Sequence, residues 1–255
     1  VGVSTAEWAL VRQSVGKSGK YQDYEQFGGS HRFFGDDPEG KRNFMIEDMQ
    51  RAMAAHPTAW QGPSWQALIR ACSNPASAAR ISIITARQCS PETLHAALRW
   101  LNGQEVPGYG RAPIEYIAHL PPRGGLKPVS YPPLAAELGG SVRNPSAAKA
   151  VVMAQILDDL SQEPIPARTP PVTSRDGTCL ERLHLWGFSD DDFGNYEKAR
   201  EALMAGVQAG RWANVKILVF FTGQNHPGEK PRAEVLMADG TTRLARPEEA
   251  RLTRA

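Results

Sequence analysis

A short apolar strand that runs into three consecutive aspartates is the feature that most constrains how this chain folds. The segment RLHLWGFSDDD predicts a strand over Leu183–Phe188, followed by Asp190, Asp191 and Asp192 and then by a helix that begins near Gly194. Adjacent carboxylates repel one another, so such a cluster is costly to hold unless a cation or a partner lies among them. The alternative interpretation is a helix cap, because acidic side chains favour the positive end of the helix dipole. Both interpretations stay open on the sequence alone.

A second predicted strand also ends in polar residues. Residues 81–85 (ISIIT) predict a strand that ends at Thr85, and a new helix is expected to begin at Pro91. Arg87, between the two, is expected to form a salt bridge at the strand end.

Another strand is predicted over residues 215–221, and strands that alternate with helices in this way are typical of a parallel α/β sheet. Ligands bind such sheets at the carboxyl ends of the strands, which here carry a hydroxyl and several carboxylates. Those groups suit Mg²⁺ and phosphate oxygens.

The sequence predicts three regions. Residues 1–78 have mainly helical patterns and predict a cap or insert, and residues 79–223 predict an α/β core with a Pro-rich loop insert at about 103–145. Residues 224–255 predict a C-terminal tail in which Asp239-Gly240 indicates a hairpin.

Three motifs, in their order along the chain, resemble those of the haloacid dehalogenase (HAD)-like superfamily of phosphohydrolases. The second motif of that family is an apolar strand ending in Thr or Ser, matched here by Thr85. Its third is a lysine near the start of a helix, matched by Lys149 in the predicted amphipathic helix Ser146–Leu160. Its fourth is an apolar strand ending in paired acids, matched by Asp190 and Asp191. The resemblance implies an α/β fold with a Rossmann-like parallel sheet core and an inserted, mostly helical cap.

The resemblance also implies a Mg²⁺-dependent phosphatase acting on a small-molecule phosphate ester. In that family a phosphoryl group passes to an aspartate, and the aspartyl-phosphate is then hydrolysed. Thr85 would donate a hydrogen bond to the phosphoryl group, and the positive charge of Lys149 would stabilise both the nucleophile and the phosphoryl group. Asp190 and Asp191 would hold Mg²⁺ directly or through water, while Asp192 would support them or cap the next helix.

The chain departs from the family pattern at the first motif, an apolar strand ending in Asp-x-Asp that supplies the nucleophile. Nothing between Val1 and Arg80 fits it, and the nearest acids, Asp36 and Asp37, follow only two aromatic residues in a glycine-rich loop. In the family this strand lies at the centre of the sheet, so its loss would expose two strand edges. We therefore expect a truncated N-terminus with the strand upstream in the gene, a partner chain or fragment that supplies it, or a rearranged pairing. A non-catalytic structural or binding subunit of a larger assembly is the alternative function.

The composition of the chain limits the cellular location and the classes of binding partner that we expect. The formal net charge of +2 gives no basic stripe, so nucleic acid is not favoured as a partner. The three cysteines share no metal-ligand spacing, and no apolar run reaches the length of a membrane span. These features predict a cytoplasmic protein without structural zinc. His184, which alternates with leucines on a predicted strand, is expected to be a hydrogen-bonded core histidine.

Overall fold

The computed structural model describes residues 35–55, 68, 80–101, 105–106, 110–111, 125–139, 144–165, 183–223 and 229–246. All of them belong to one compact unit, residues 34–255. Most of the predicted cap, 1–78, and much of the predicted Pro-rich insert lie outside the described residues, and the three predicted region boundaries therefore stay predictions.

The described residues contain five helices. They are α1 Phe44–Ala55, α2 Pro91–Leu101, α3 Pro132–Glu137, α4 Pro145–Gln162 and α5 Phe193–Gln208. Three of them, α2, α3 and α4, begin with a proline, whose fixed φ angle and missing N–H suit the first turn of a helix. The helix start expected at Pro91 is therefore confirmed.

Eight strands form three sheets within the described residues. They are β1 Ile83–Thr85, β2 Glu105–Val106, β3 Gly110–Arg111, β4 Leu126–Pro128, β5 His184–Asp190, β6 Val215–Phe221, β7 Arg232–Leu236 and β8 Thr242–Leu244. Strand β1 pairs with β4 in parallel, β2 pairs with β3 antiparallel, and the largest sheet has the order β5-β6-β7-β8. In that sheet β5 and β6 are parallel, whereas β7 and β8 are added antiparallel. The chain is therefore a mixed α/β protein with parallel and mixed sheets.

The parallel ladder of β5 and β6 accounts for the small differences from the predicted strands. The strand predicted over residues 215–221 has those bounds, and its neighbour runs two residues further than predicted. Pairing continues from His184 opposite Val215 to Asp190 opposite Phe221, because each added pair satisfies backbone donors and acceptors. Asp190 consequently lies inside β5 rather than in the loop that follows it.

Helix α4 links the two parallel strand pairs. It packs against β1 as well as against β5 and β6. Ile84 of β1 contacts both the main apolar core, which includes Met153 and Leu157 of α4, and a smaller cluster that contains Val152. Among the described residues, β1 has β4 as its only hydrogen-bonded strand neighbour and β5 has only β6. The two strands that carry candidate site residues therefore share a helix but belong to different sheets.

The predicted hairpin at Asp239-Gly240 joins β7 to β8. The Gly240 N–H donates to the Met237 carbonyl, and Gly240 has a φ of 84°, a conformation that glycine adopts at little cost. Because β7 pairs with β6, this hairpin extends the main sheet. None of the described helices combines the length and apolar character needed to cross a bilayer.

Candidate functional site

A buried ion pair joins the first turns of α4 to the end of β5. Lys149 Nζ donates to Asp190 Oδ2 at 2.6 Å, and the two side chains are only 8% and 6% exposed. The other carboxylate oxygen of Asp190, Oδ1, accepts the backbone N–H of Asp192 at 3.0 Å. Both oxygens are therefore engaged, and the desolvated charges depend on each other for compensation.

The backbone of Asp190 is held by the residue that follows β6. Thr222 donates to the Asp190 carbonyl twice, from its backbone N–H at 3.0 Å and from its hydroxyl at 3.3 Å. These bonds continue the parallel ladder one step beyond the last strand pair. The end of β5 is thus fixed from its β6 side.

Asp191 is the next residue in the chain, and the charge of Lys149 acts on its carboxylate without a direct ion pair. Its residue surface is exposed, and among the described residues its side chain forms no ion pair. Desolvation by the surrounding protein, followed by the charge of neighbouring Asp190, raises the pKa of Asp191 above its ordinary value. A cation beside this carboxylate would relieve both effects.

Asp192 is the N-cap of α5. Its Oδ1 accepts the backbone N–H of Asn195 at 2.8 Å, and its carbonyl accepts that of Tyr196 at 3.0 Å. The capping interpretation is therefore correct for this aspartate. It does not extend to Asp190, which lies in β5 and pairs with Lys149.

One side-chain contact ties the beginnings of α4 and α5 together. The Ser146 hydroxyl donates to Asn195 Oδ1 at 2.6 Å. Ser146 lies one turn before Lys149 on α4, and Asn195 lies in the first turn of α5. Sequence reasoning missed this contact, because no local pattern indicates that two residues 49 positions apart meet.

Helix α5 is also anchored on β7. The Tyr196 hydroxyl donates to the Glu234 carboxylate, and burial together with this bond raises the pKa of Tyr196 to about 12. The Arg232 guanidinium lies 5.2 Å from the centre of the Tyr196 ring and 5.5 Å from that of Phe193. These contacts fix the first turns of the helix that follows the aspartates.

Thr85 lies at the carboxyl end of β1, where its carbonyl accepts the Val129 N–H at 2.8 Å. Its side chain forms no hydrogen bond with Lys149 or Asp190, although β1 packs on the helix that carries Lys149. Of the four predicted site residues, the structure joins Lys149 to Asp190 directly and has Asp191 next in the chain. Thr85 belongs to the β1–β4 sheet and contacts none of these three side chains through a hydrogen bond.

The acids nearest to a first motif have local structural contacts. Asp36 accepts the backbone N–H of Ser90 at 3.0 Å, and Ser90 in turn caps α2 by accepting the Thr93 N–H on its hydroxyl. Asp37 accepts the backbone N–H groups of Lys41 and Arg42, each at 2.9 Å.

Two polar residues beyond the carboxylate edge have the contacts that the sequence predicted. Arg87 forms an ion pair with Asp48 at 3.3 Å, which confirms the expected salt bridge. His184 is buried and its Nε2 lies 3.0 Å from the Glu163 carbonyl, as expected of a core histidine.

The donor set at this edge fits Mg²⁺ in part. Within the described ranges, no group of three or more His, Cys, Asp or Glu side chains is arranged to hold a metal ion. Mg²⁺, however, commonly takes one or two carboxylates together with water and phosphate oxygens. Asp191 offers such a carboxylate, whereas Asp190 could contribute only by sharing an oxygen that already accepts from Lys149 or from the Asp192 N–H.

Comparison of the chain with models of protein families, with curated proteins and with solved structures found no match.

Proposed function

We propose that this chain is a HAD-like, Mg²⁺-dependent phosphohydrolase with a Rossmann-like core and a helical cap, acting on a small-molecule phosphate ester. One observation carries the proposal: a buried lysine–aspartate pair stands at the carboxyl end of a parallel strand, next to Asp191, an exposed carboxylate that forms no ion pair among the described residues. Charges held out of water in fixed positions are what phosphoryl transfer requires. A cytoplasmic setting is part of the same proposal.

Each of the four site residues has a role in the proposed reaction. Asp191 would hold Mg²⁺, with Asp190 as its neighbour, and the ion would supply charge stabilisation to the phosphoryl oxygens. Lys149 would hold Asp190 in place and offer positive charge to the group being transferred. The Thr85 hydroxyl would donate a hydrogen bond to that group. The aspartate nucleophile is not present in this chain, so another segment must supply it.

The arrangement of the sheets supports a partner strand. Strands β1 and β5 both pack on α4, and within the described part of the chain each lacks a hydrogen-bonded neighbour on one edge. An unpaired edge accepts an added strand through its free backbone groups. We propose that a segment outside this chain, on the same gene product or on a partner chain, pairs there and brings the nucleophile to the ends of β1 and β5.

A non-catalytic HAD-like binding or structural subunit is the second candidate. The observation that favours it is that both carboxylate oxygens of Asp190 are already satisfied within the chain, by Lys149 and by the Asp192 N–H. A pair that is complete in itself can serve to hold α4 against β5 without taking part in any reaction.

Turnover of p-nitrophenyl phosphate by the intact gene product tests the proposal. We expect hydrolysis that requires Mg²⁺, stops with EDTA and falls strongly in Asp191→Asn. The matched control is Glu201→Gln, which removes the same charge from an exposed position of α5 and should retain activity. Binding of Mg²⁺ without turnover would favour the non-catalytic subunit, and the absence of both would refute the phosphohydrolase proposal.

A further inference from the structure

We infer that Gly223 is a positioning residue for the carboxylates of Asp190 and Asp191, acting through the peptide group that joins Asp191 to Asp192. The expected effect of Gly223 on Mg²⁺ binding rests on the proposed function. Its effect on the position of the Asp191–Asp192 peptide group rests on contacts within the chain alone.

The close approach of Gly223 to this peptide leaves no room for a side chain. A Cβ atom at Gly223 would lie 2.0 Å from the Asp191 carbonyl oxygen and 2.9 Å from its carbonyl carbon. Both atoms belong to the backbone, so no side-chain rotation relieves the overlap. Gly223 is buried and its φ is not positive, which means that space rather than backbone conformation requires glycine here.

The peptide group that Gly223 touches also holds the buried ion pair. Its oxygen, from Asp191, contacts Gly223, while its N–H, from Asp192, donates to Asp190 Oδ1 at 3.0 Å. Because a peptide group is planar and stiff, pushing the oxygen moves the N–H as well. Gly223 thus sets both the direction from which Asp191 extends and the bond that orients the Asp190 carboxylate.

The residue before Gly223 fixes the other side of the same strand end. Thr222 donates to the Asp190 carbonyl from its N–H and its hydroxyl, at 3.0 Å and 3.3 Å. Two consecutive residues after β6 therefore support two consecutive residues at the end of β5. A site that binds an ion through carboxylates needs this kind of support, because small displacements of its ligands weaken binding.

Gly223→Ala tests the inference, and Gly206→Ala is its matched control. An added Cβ at Gly206 would lie 2.3 Å from Trp212 Cζ3, an overlap with a buried side chain rather than with backbone, towards the end of α5 that is away from the aspartates. Both variants are compared with the wild type by thermal unfolding, by Mg²⁺ calorimetry, and by the NMR resonance and hydrogen exchange of the Asp192 N–H.

We expect Gly223→Ala to weaken Mg²⁺ binding by about 10-fold to 100-fold. It should also shift the Asp192 N–H resonance and speed its exchange. Gly206→Ala should lower thermal stability and leave Mg²⁺ affinity and the Asp192 N–H unchanged. A folded Gly223→Ala that binds Mg²⁺ as the wild type does, or an equal loss in Gly206→Ala, would overturn the inference.

Two further outcomes are decisive. If the wild type itself binds no Mg²⁺, the proposed function fails, and the inference then stands or falls on whether Gly223→Ala perturbs the Asp192 N–H. If Gly223→Ala does not fold, hydrogen exchange of the Asp192 N–H in the wild type decides, because this N–H belongs to the peptide group that Gly223 touches. Strong protection of this N–H supports the inference, and exchange at the rate of an exposed amide overturns it.

Discussion

Replacing Lys149 by Met removes the positive partner of a buried carboxylate while keeping a side chain of similar length. The pair is 2.6 Å apart and its members are 8% and 6% exposed, so water cannot take over the role of the lysine. Removing one partner of a buried ion pair costs about 3–5 kcal/mol. The Asp192 N–H still donates to Asp190 Oδ1, so we expect a loss at the lower end, about 3 kcal/mol. A domain is held folded by only about 5–15 kcal/mol in total.

Urea unfolding at pH 7, followed by tryptophan fluorescence, measures this loss. Lys198→Met, which alters an exposed lysine of α5, is the matched control and should stay within about 0.5 kcal/mol of the wild type. The double variant Lys149→Met/Asp190→Leu should recover most of the lost stability, because a buried ion pair and an apolar pair of similar volume are often equally stable. A Lys149→Met protein as stable as the control would refute the claim that the pair is buried and mutually dependent.

Two other predictions concern aspartates with different surroundings. Asp158→Ala should cost about 1–3 kcal/mol in urea unfolding, because it removes the acceptor at 2.9 Å from the buried Trp212 indole N–H. Arg211→Ala should cost less, because its ion pair with Asp158 is half exposed, and equal losses would contradict this assignment. Asp191→Asn should be more stable than the wild type at pH 7, since desolvation by the surrounding protein and the charge of Asp190 raise the pKa of Asp191 and its ionisation therefore disfavours the folded state. The gain should shrink as the pH falls through that raised pKa towards 3.8, and a gain independent of pH would contradict the assigned cause.

The sequence predicted β1, β5, β6 and the β7–β8 hairpin, whereas β2, β3 and β4 lie in the segment that it predicted as a Pro-rich loop insert. The strand β6 has the predicted bounds because six of its seven residues are apolar, a composition typical of a strand covered on both faces. The end of β5 was placed two residues short, since aspartate is a poor strand former and the pairing with β6 outweighs that preference. The strand propensities of single residues do not include this pairing between strands.

The site was predictable as a set of residue types but not as a set of contacts. Hydrophobicity alone would bury Val151 and expose Lys149, yet Val151 is 39% exposed and Lys149 only 7%. The ion pair with Asp190, 41 positions away, reverses the order. The Gly223 contact was equally hidden, because a glycine required by close approach looks in the sequence like any other glycine.

Calorimetric titration of Mg²⁺ into the intact gene product tests the central claim, that the acidic end of β5 is an ion site, most directly. We predict one Mg²⁺ bound per chain by the wild type and by Glu201→Gln, with the affinity lost in Asp191→Asn at unchanged fold. A wild type that binds no Mg²⁺, or an Asp191→Asn variant that binds it equally well, would contradict the account.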